Sequence, residues 1–147
     1  MKDIKSERNE IIKMLEENGL YIVQKSDFEE LAELSEDSFT DYPLPIYIFG
    51  EKYYKEGVKQ TMRVNLYSMY DEGIIYADSK ELTGFSIFLP PGYDGAKFWS
   101  FMWNGGLWVA LYQGYSALKK MGDFESFAIS LKKNIPTIKI GIVIIYV

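Results

Sequence analysis

The stretch Leu82-Thr83-Gly84-Phe85-Ser86-Ile87-Phe88-Leu89-Pro90-Pro91-Gly92 decides the fold. Its first eight residues are uncharged and rich in aromatic and β-favouring types, so they read as a buried strand. Pro90 and Pro91 stop it, because neither can donate to a ladder. Upstream, Ile74-Ile75-Tyr76-Ala77 is a shorter apolar run, and Asp78-Ser79-Lys80-Glu81 is a polar turn of hairpin length. The pair predicts an antiparallel hairpin over 74–89 that ends at a double proline.

On the N-terminal side, Tyr54, Val58, Met62, Leu66 and Tyr70 recur every fourth position, which predicts a long helix over 51–71. Gly57 inside it costs about 1 kcal/mol relative to alanine, and Gly73 closes it. Ile46-Tyr47-Ile48-Phe49-Gly50 fits either a helical turn or a strand. Pro43 and Pro45 predict an extended connection after Thr40-Asp41-Tyr42. Ser26-Asp27-Phe28-Glu29 reads as a capping box in which Ser26 accepts from the Glu29 amide and the Glu29 carboxylate reaches back. Behind it, Phe28, Leu31, Ala32, Leu34 and Phe39 give about three turns of helix. Residues 20–23 read as a first strand. Residues 3–18 read as an amphipathic helix with Ile4, Ile11, Ile12 and Leu15 on one side, stopped at Asn18-Gly19.

On the C-terminal side, Tyr93-Asp94-Gly95 reads as a loop. Residues 96–103 and 107–133 read as helices separated by Asn104-Gly105-Gly106, the second bent or interrupted near Gly114 or Gly122. Asn134-Ile135-Pro136 ends it. Residues 136–147 are almost continuously β-branched, with Lys139 the one charge, and predict a strand buried on both faces.

With 147 residues, 48% apolar and 16% aromatic, the chain is most simply one domain with a full core. A net charge of −5 disfavours the phosphate contacts on which nucleic-acid affinity rests, so no nucleic-acid partner is expected. Cysteine and histidine are both absent, which removes disulfides, thiolate and Ser-His-Asp catalysis and the usual metal ligands. No metal site is expected. Any catalysis falls to carboxylates, tyrosines, backbone amides or the substrate's own amine. The charged start Met1-Lys2-Asp3-Ile4-Lys5 lacks a signal-peptide core, so the expected compartment is the cytoplasm. Residues 98–118 hold no charge over 21 residues, long enough for a membrane span. Asn104-Gly105-Gly106, Gln113 and Gly114 interrupt them, and they read as a buried helix pair, with no membrane partner expected.

The order helix, strand, capped helix, Asp-Tyr-Pro-Leu loop, long helix, Pro-Pro-Gly hairpin and aromatic helices resembles the N-terminal half of a GNAT-family N-acetyltransferase. The resemblance is to the branch with an elaborated helical segment between the third and fourth strands. It is carried by Phe39-Thr40-Asp41-Tyr42-Pro43-Leu44, by Gly84-Phe85-Ser86-Ile87-Phe88-Leu89-Pro90-Pro91-Gly92, and by the Trp/Leu-rich helices after them. It covers about residues 20–134, following an N-terminal helix over 1–19. It implies an α+β fold of the acyl-CoA N-acyltransferase kind, a mostly antiparallel sheet flanked by helices, in one domain with an incomplete C-terminal half. It also implies acetyl-CoA as donor and a small-molecule or peptide amine as acceptor. In the family the deprotonated amine attacks the thioester directly, and positioning and oxyanion polarisation supply most of the rate. No covalent protein intermediate is needed, which agrees with a chain lacking His and Cys.

The family's cofactor loop, Gln/Arg-x-x-Gly-x-Gly/Ala, cradles the pyrophosphate on backbone amides at a helix N-terminus. This chain has no such run. Gln113-Gly114-Tyr115-Ser116-Ala117 has the wrong spacing. No cofactor-binding residue is therefore named, and tight binding of acetyl-CoA is not expected. The tail, 135–147, departs from the family, which continues with a polar stretch and Trp-Tyr-Leu. Back-translating Asn134 onward and reading from each codon's third base permits His-Thr-Asn-Asn-Lys-Asp-Trp-Tyr-Cys-Tyr-Asn-Leu, so the tail reads as a frameshift product. Its apolar strand leaves a sheet edge open to self-association, which makes a non-catalytic interaction module the alternative.

The resemblance places Tyr42 and Pro43 at the border of the acceptor pocket, where the plain reading is a rigid connection between helices. Trp99 and Trp103 are candidate pocket-lining residues with Tyr47, Phe88 and Tyr115. Trp108 stands beside them, and tryptophans at helical spacing are more often core. Asp41, Asp71, Glu72 and Asp94 are the carboxylates at loop edges, and none is assigned as the base. Lys119-Lys120 and Lys132-Lys133 read as solvated helical charges.

Overall fold

A computed structural model describes residues 4–90, 98–133 and 142–146. The chain is α+β. In order it forms α1 (Ile4–Glu17), β1 (Tyr21–Ile22), α2 (Phe28–Ser38), α3 (Pro43–Phe49), α4 (Tyr54–Met69), β2 (Ile74–Ala77) and β3 (Phe85–Leu89). Then come α5 (Phe98–Phe101), a π-helical turn (Met102–Gly106), α6 (Leu107–Lys133) and β4 (Ile142–Tyr146). The four strands make one sheet in the order β1-β2-β3-β4, every pair antiparallel.

The predicted hairpin forms, with Ile75 opposite Ile87 and Ala77 opposite Phe85. Alternation then puts Ile75, Ala77, Phe85, Ile87 and Leu89 on one face. That face meets Phe28 and Leu31 of α2 and Met62 and Leu66 of α4, with Val23 and Leu82 closing the same core. Phe28 is fully buried, its ring edge-on to Tyr67 at 4.8 Å and to Tyr70 at 5.4 Å. On the outer side of the α2–α4 pair, Lys59 reaches Glu33 at 2.8 Å and Arg63 reaches Glu29 at 3.4 Å. From α1, the Arg8 guanidinium donates to the Gly73 carbonyl at 3.2 Å, just past the end of α4.

Several expectations are corrected. The second strand starts at Phe85 and not at Leu82, because residues 78–84 form a longer loop. In it the Asp78 carboxylate accepts from the Thr83 hydroxyl and, at 3.1 Å, from the Gly84 amide. The cap before α2 is built by Asp27 and not by Ser26 with Glu29. Asp27 accepts from the Gln24 amide at 2.8 Å, the Tyr21 hydroxyl at 2.9 Å and the Ser26 hydroxyl at 3.0 Å. Ser26 lies inside the short 3₁₀ turn Lys25–Asp27, and Glu29 is drawn outward to Arg63.

The double proline at 43 and 45 starts a helix instead of an extended connection. Tyr42 is extended (φ −77°, ψ 128°), Pro43 takes the first helical position, and Pro45 lies within the first turn, where amides have no intrahelical acceptor. Ile46–Phe49 is therefore helical. Gly57 is a close-packing position: a Cβ there would stand 2.4 Å from Cγ of the Phe49 ring. The predicted break at 104–106 is a π turn, with Gly105 at φ +110°, a backbone state that side-chain-bearing residues rarely adopt. Of the two predicted interruptions of α6, Gly114 is one, with φ 80° and ψ 166°. β4 supplies the predicted terminal strand over 142–146. The loop at 93–95, with Asp94, and the start of that strand at 136–141 lie outside the described residues.

Candidate functional site

The seven candidate residues fall in three places. Tyr42, Pro43 and Tyr47 belong to the start and body of α3, and all three are exposed. The Tyr42 ring stands edge-on to Phe39 at 5.6 Å. Phe88 lies half-buried on the sheet face opposite the main core, opposite Ile74 and Val143 in register. Trp99, Trp103 and Tyr115 belong to α5, the π turn and α6. They are 69%, 85% and 80% exposed, and Trp108 is 73% exposed.

These exposures overturn the reading of 98–118 as a buried helix pair with tryptophans in the core. Leu107, Trp108, Leu111 and Tyr112 share one face of α6 by helical spacing, and all four are exposed, as is Tyr115 beyond the break at Gly114. Val109 and Ala117 take the inward positions instead. The result is an aromatic strip in solvent. Among the described residues, no helix is long and apolar enough to cross a membrane.

α3 and α6 adjoin through a residue that sequence reasoning set aside. The Lys120 ammonium donates to the Tyr47 carbonyl at 2.7 Å and lies over the Tyr47 ring. Lysine at a helix surface carries no signal for this, because the partner is a backbone oxygen 73 residues away. A primary ammonium against a tyrosine face and a helix-terminal carbonyl is a chemically sound arrangement for an amine.

A second group of side chains was not legible either. Thr61, Val64 and Ser68 share one face of α4 by spacing, and Val64 packs beside Gly105 of the π turn. Among the described residues, the buried Oγ1 of Thr61 and Oγ of Ser68 have no hydrogen-bond partner, nor has the buried Nε2 of Gln113, next to the break at Gly114. Buried polar atoms are nearly always paired, so these three atoms are places where polar capacity is unused among the described residues. In the same segment, Asn104 donates to the Ser100 carbonyl at 2.8 Å.

Of the carboxylates considered as bases, Asp94 lies outside the described residues and the other three do not gather at either place. Asp41, Asp71 and Glu72 are exposed at loop edges. Asp41 has φ 59°, and its amide donates to the Tyr54 hydroxyl at 3.4 Å. The perturbed carboxylates belong to the fold. Partial burial pushes Asp27 up, but its hydrogen bonds from Gln24, Tyr21 and Ser26 outweigh that and hold it below the usual carboxylate value. Asp78 is lowered chiefly by the Thr83 hydroxyl. Among the described residues, no group of three Asp or Glu side chains could hold a metal ion.

Comparisons of the chain with protein-family models, curated proteins and solved structures return no match.

Proposed function

We propose that this chain is the N-terminal portion of a cytoplasmic GNAT-type N-acetyltransferase acting on a primary amine, without its nucleotide-binding part and inactive as it stands. The observation that carries the reading is the β2–β3 hairpin. It follows the long α4, its second strand stops before Pro90, and aromatic helical segments come after it. That is the order on which the resemblance rests. The exposure of Trp99, Trp103, Trp108, Tyr112 and Tyr115 supports the same reading, since a facing half-domain would cover such side chains.

The residues present do not fit acetyl-CoA. A pyrophosphate needs successive backbone amides at a helix N-terminus, with glycines that let the chain approach. The chain's glutamine–glycine pair, Gln113-Gly114, is a break within α6, and the Nε2 of Gln113 is buried. No transfer step is therefore assigned to this chain. The test is the nucleotide sequence from codon 134 onward. Under this proposal the shifted frame spells a Trp-Tyr-containing strand followed by Gln/Arg-x-x-Gly-x-Gly/Ala. Codons unable to spell that text would refute it.

A further inference from the structure

The first turns of α6 turn an apolar face to solvent. Leu107, Trp108, Leu111 and Tyr112 share it by helical spacing, and each is more than half exposed. Just before it, Trp99 of α5 and Trp103 of the π turn are exposed as well. Tyr115 and Lys119, one turn apart beyond the break at Gly114, are also exposed. Large exposed apolar side chains gathered in this way mark contact with another apolar body.

Charge indicates which body. Residues 1–96 carry 10 Lys/Arg against 19 Asp/Glu, whereas residues 97–147 carry 6 against 2, so the first stretch stands at −9 and the second at +4. Residues 98–118 hold no charge, Lys97 precedes them, and Lys119 and Lys120 follow. An uncharged aromatic segment bounded by lysines, on the positive half of an otherwise acidic chain, complements an anionic lipid surface. Trp and Tyr favour the headgroup level, and lysine reaches lipid phosphate on a long apolar stem. A protein partner would favour arginine among the aromatics, with lysine depleted. The chain's two arginines are engaged elsewhere, Arg8 with the Gly73 carbonyl and Arg63 with Glu29. A nucleic-acid strand would stack on the aromatic rings but gains nothing from Leu107 and Leu111.

We infer that the Leu107–Tyr112 face of α6 seats on an anionic lipid bilayer, with Leu107, Trp108, Leu111 and Tyr112 at the headgroup–acyl boundary and Lys119 against lipid phosphate. The contact lies in the plane of the surface, since among the described residues no helix is long and apolar enough to cross a membrane. The same surface repels the acidic first stretch, which orients the molecule with α6 towards the lipid. The inference stands independently of the acetyltransferase reading.

The test mixes the unaltered protein with vesicles of phosphatidylglycerol and phosphatidylcholine, or of phosphatidylcholine alone. It should cosediment with the anionic vesicles and markedly less with the neutral ones. Its tryptophan emission should shift to the blue and be quenched by brominated acyl chains, a readout that needs no variant. Lys119→Gln should weaken partitioning about fivefold. Leu111→Glu should abolish it with the far-ultraviolet circular dichroism unchanged, because Leu111 is exposed in the free protein. Absence of cosedimentation of the unaltered protein with anionic vesicles overturns the inference. So does undiminished binding by Leu111→Glu, which would place the lipid contact elsewhere. Light scattering at twice 17.0 kDa, with the tryptophans shielded from acrylamide before lipid is added, also overturns it and gives the face to a second copy.

Discussion

The Lys120 ammonium lies 2.7 Å from the carbonyl oxygen of Tyr47 and 4.7 Å from the centre of the same tyrosine's ring. That carbonyl belongs to the last turn of α3, where carbonyls lack intrahelical partners and the helix end is partly negative. One side chain thus ties the second half of α6, beyond the break at Gly114, to the proline-started helix. Lys120→Met keeps the aliphatic stem and removes the charge. The contact is partly solvated, so the expected loss is about 1 kcal/mol. A urea melt measures it, and amides after Gly114 should lose hydrogen-exchange protection before those of α4.

Gly57 separates two arguments of opposite sign. Helix propensity alone favours Gly57→Ala by about 1 kcal/mol. The added Cβ, however, would stand 2.4 Å from Phe49 Cγ, close to the root of that ring and hard to move aside. Overpacking costs about 1–3 kcal/mol. Gly57→Ala should therefore destabilise, and Phe49→Leu in the same chain should recover part of the loss. Thermal midpoints of the two variants decide between the arguments.

The exposure of Trp103 makes an unusual substitution tolerable. A core tryptophan cut to alanine costs about 3–5 kcal/mol. At 85% exposure, Trp103→Ala should change stability by no more than about 0.5 kcal/mol. All three tryptophans of the chain are exposed, so native fluorescence should be quenched by acrylamide nearly as fully as in urea. Protection from acrylamide in the native protein would show the strip to be covered.

The pH profile follows from Asp27, Asp78 and Tyr21, with Glu81 lowered, chiefly by its hydrogen bond with Ser79, on the acid side and Lys59 raised, chiefly by Glu33, on the alkaline side. Both aspartates are held below their ordinary 3.8 in the folded chain. Their contribution is therefore present above about pH 4 and is lost as pH falls through the lower folded values. Tyr21 is raised above 10.0, first by its hydrogen bond to Asp27 and then by desolvation and the Asp27 charge. Its contribution is present below pH 10 and is lost as pH rises through the higher folded value. With no histidine to titrate between them, the urea midpoint should be flat from about pH 5 to 9. Asp78→Asn should lessen the acid-side fall.

Elements with their own periodicity were legible in the sequence. The hairpin at 74–77 and 85–89, α1, α4 and the breaks at Gly105 and Gly114 follow from apolar spacing and from glycine positions. Elements decided by competition were not. Pro43 and Pro45 suit an extended segment and a first helical turn equally, and Tyr42's extended backbone settles it for the helix. Ser26 had the right spacing for a cap, but Asp27 collects three donors at once. The tryptophans looked like core because burial is the usual fate of large aromatics. Helical spacing fixes which residues share a face and leaves open which way that face points. For the candidate site, the sequence reading named residues of α3 and α6, while Lys120, Thr61, Ser68 and Gln113 gave no sequence signal.

The proposal at the centre of the account is an acyl-transfer scaffold whose 147 residues include no pyrophosphate-binding glycine loop, and calorimetric titration of acetyl-CoA tests it most directly. The 147-residue chain should give no heat beyond dilution, while the same chain continued in the shifted frame should bind with micromolar affinity. Micromolar binding by the 147-residue chain, or none by the continued one, would contradict the account.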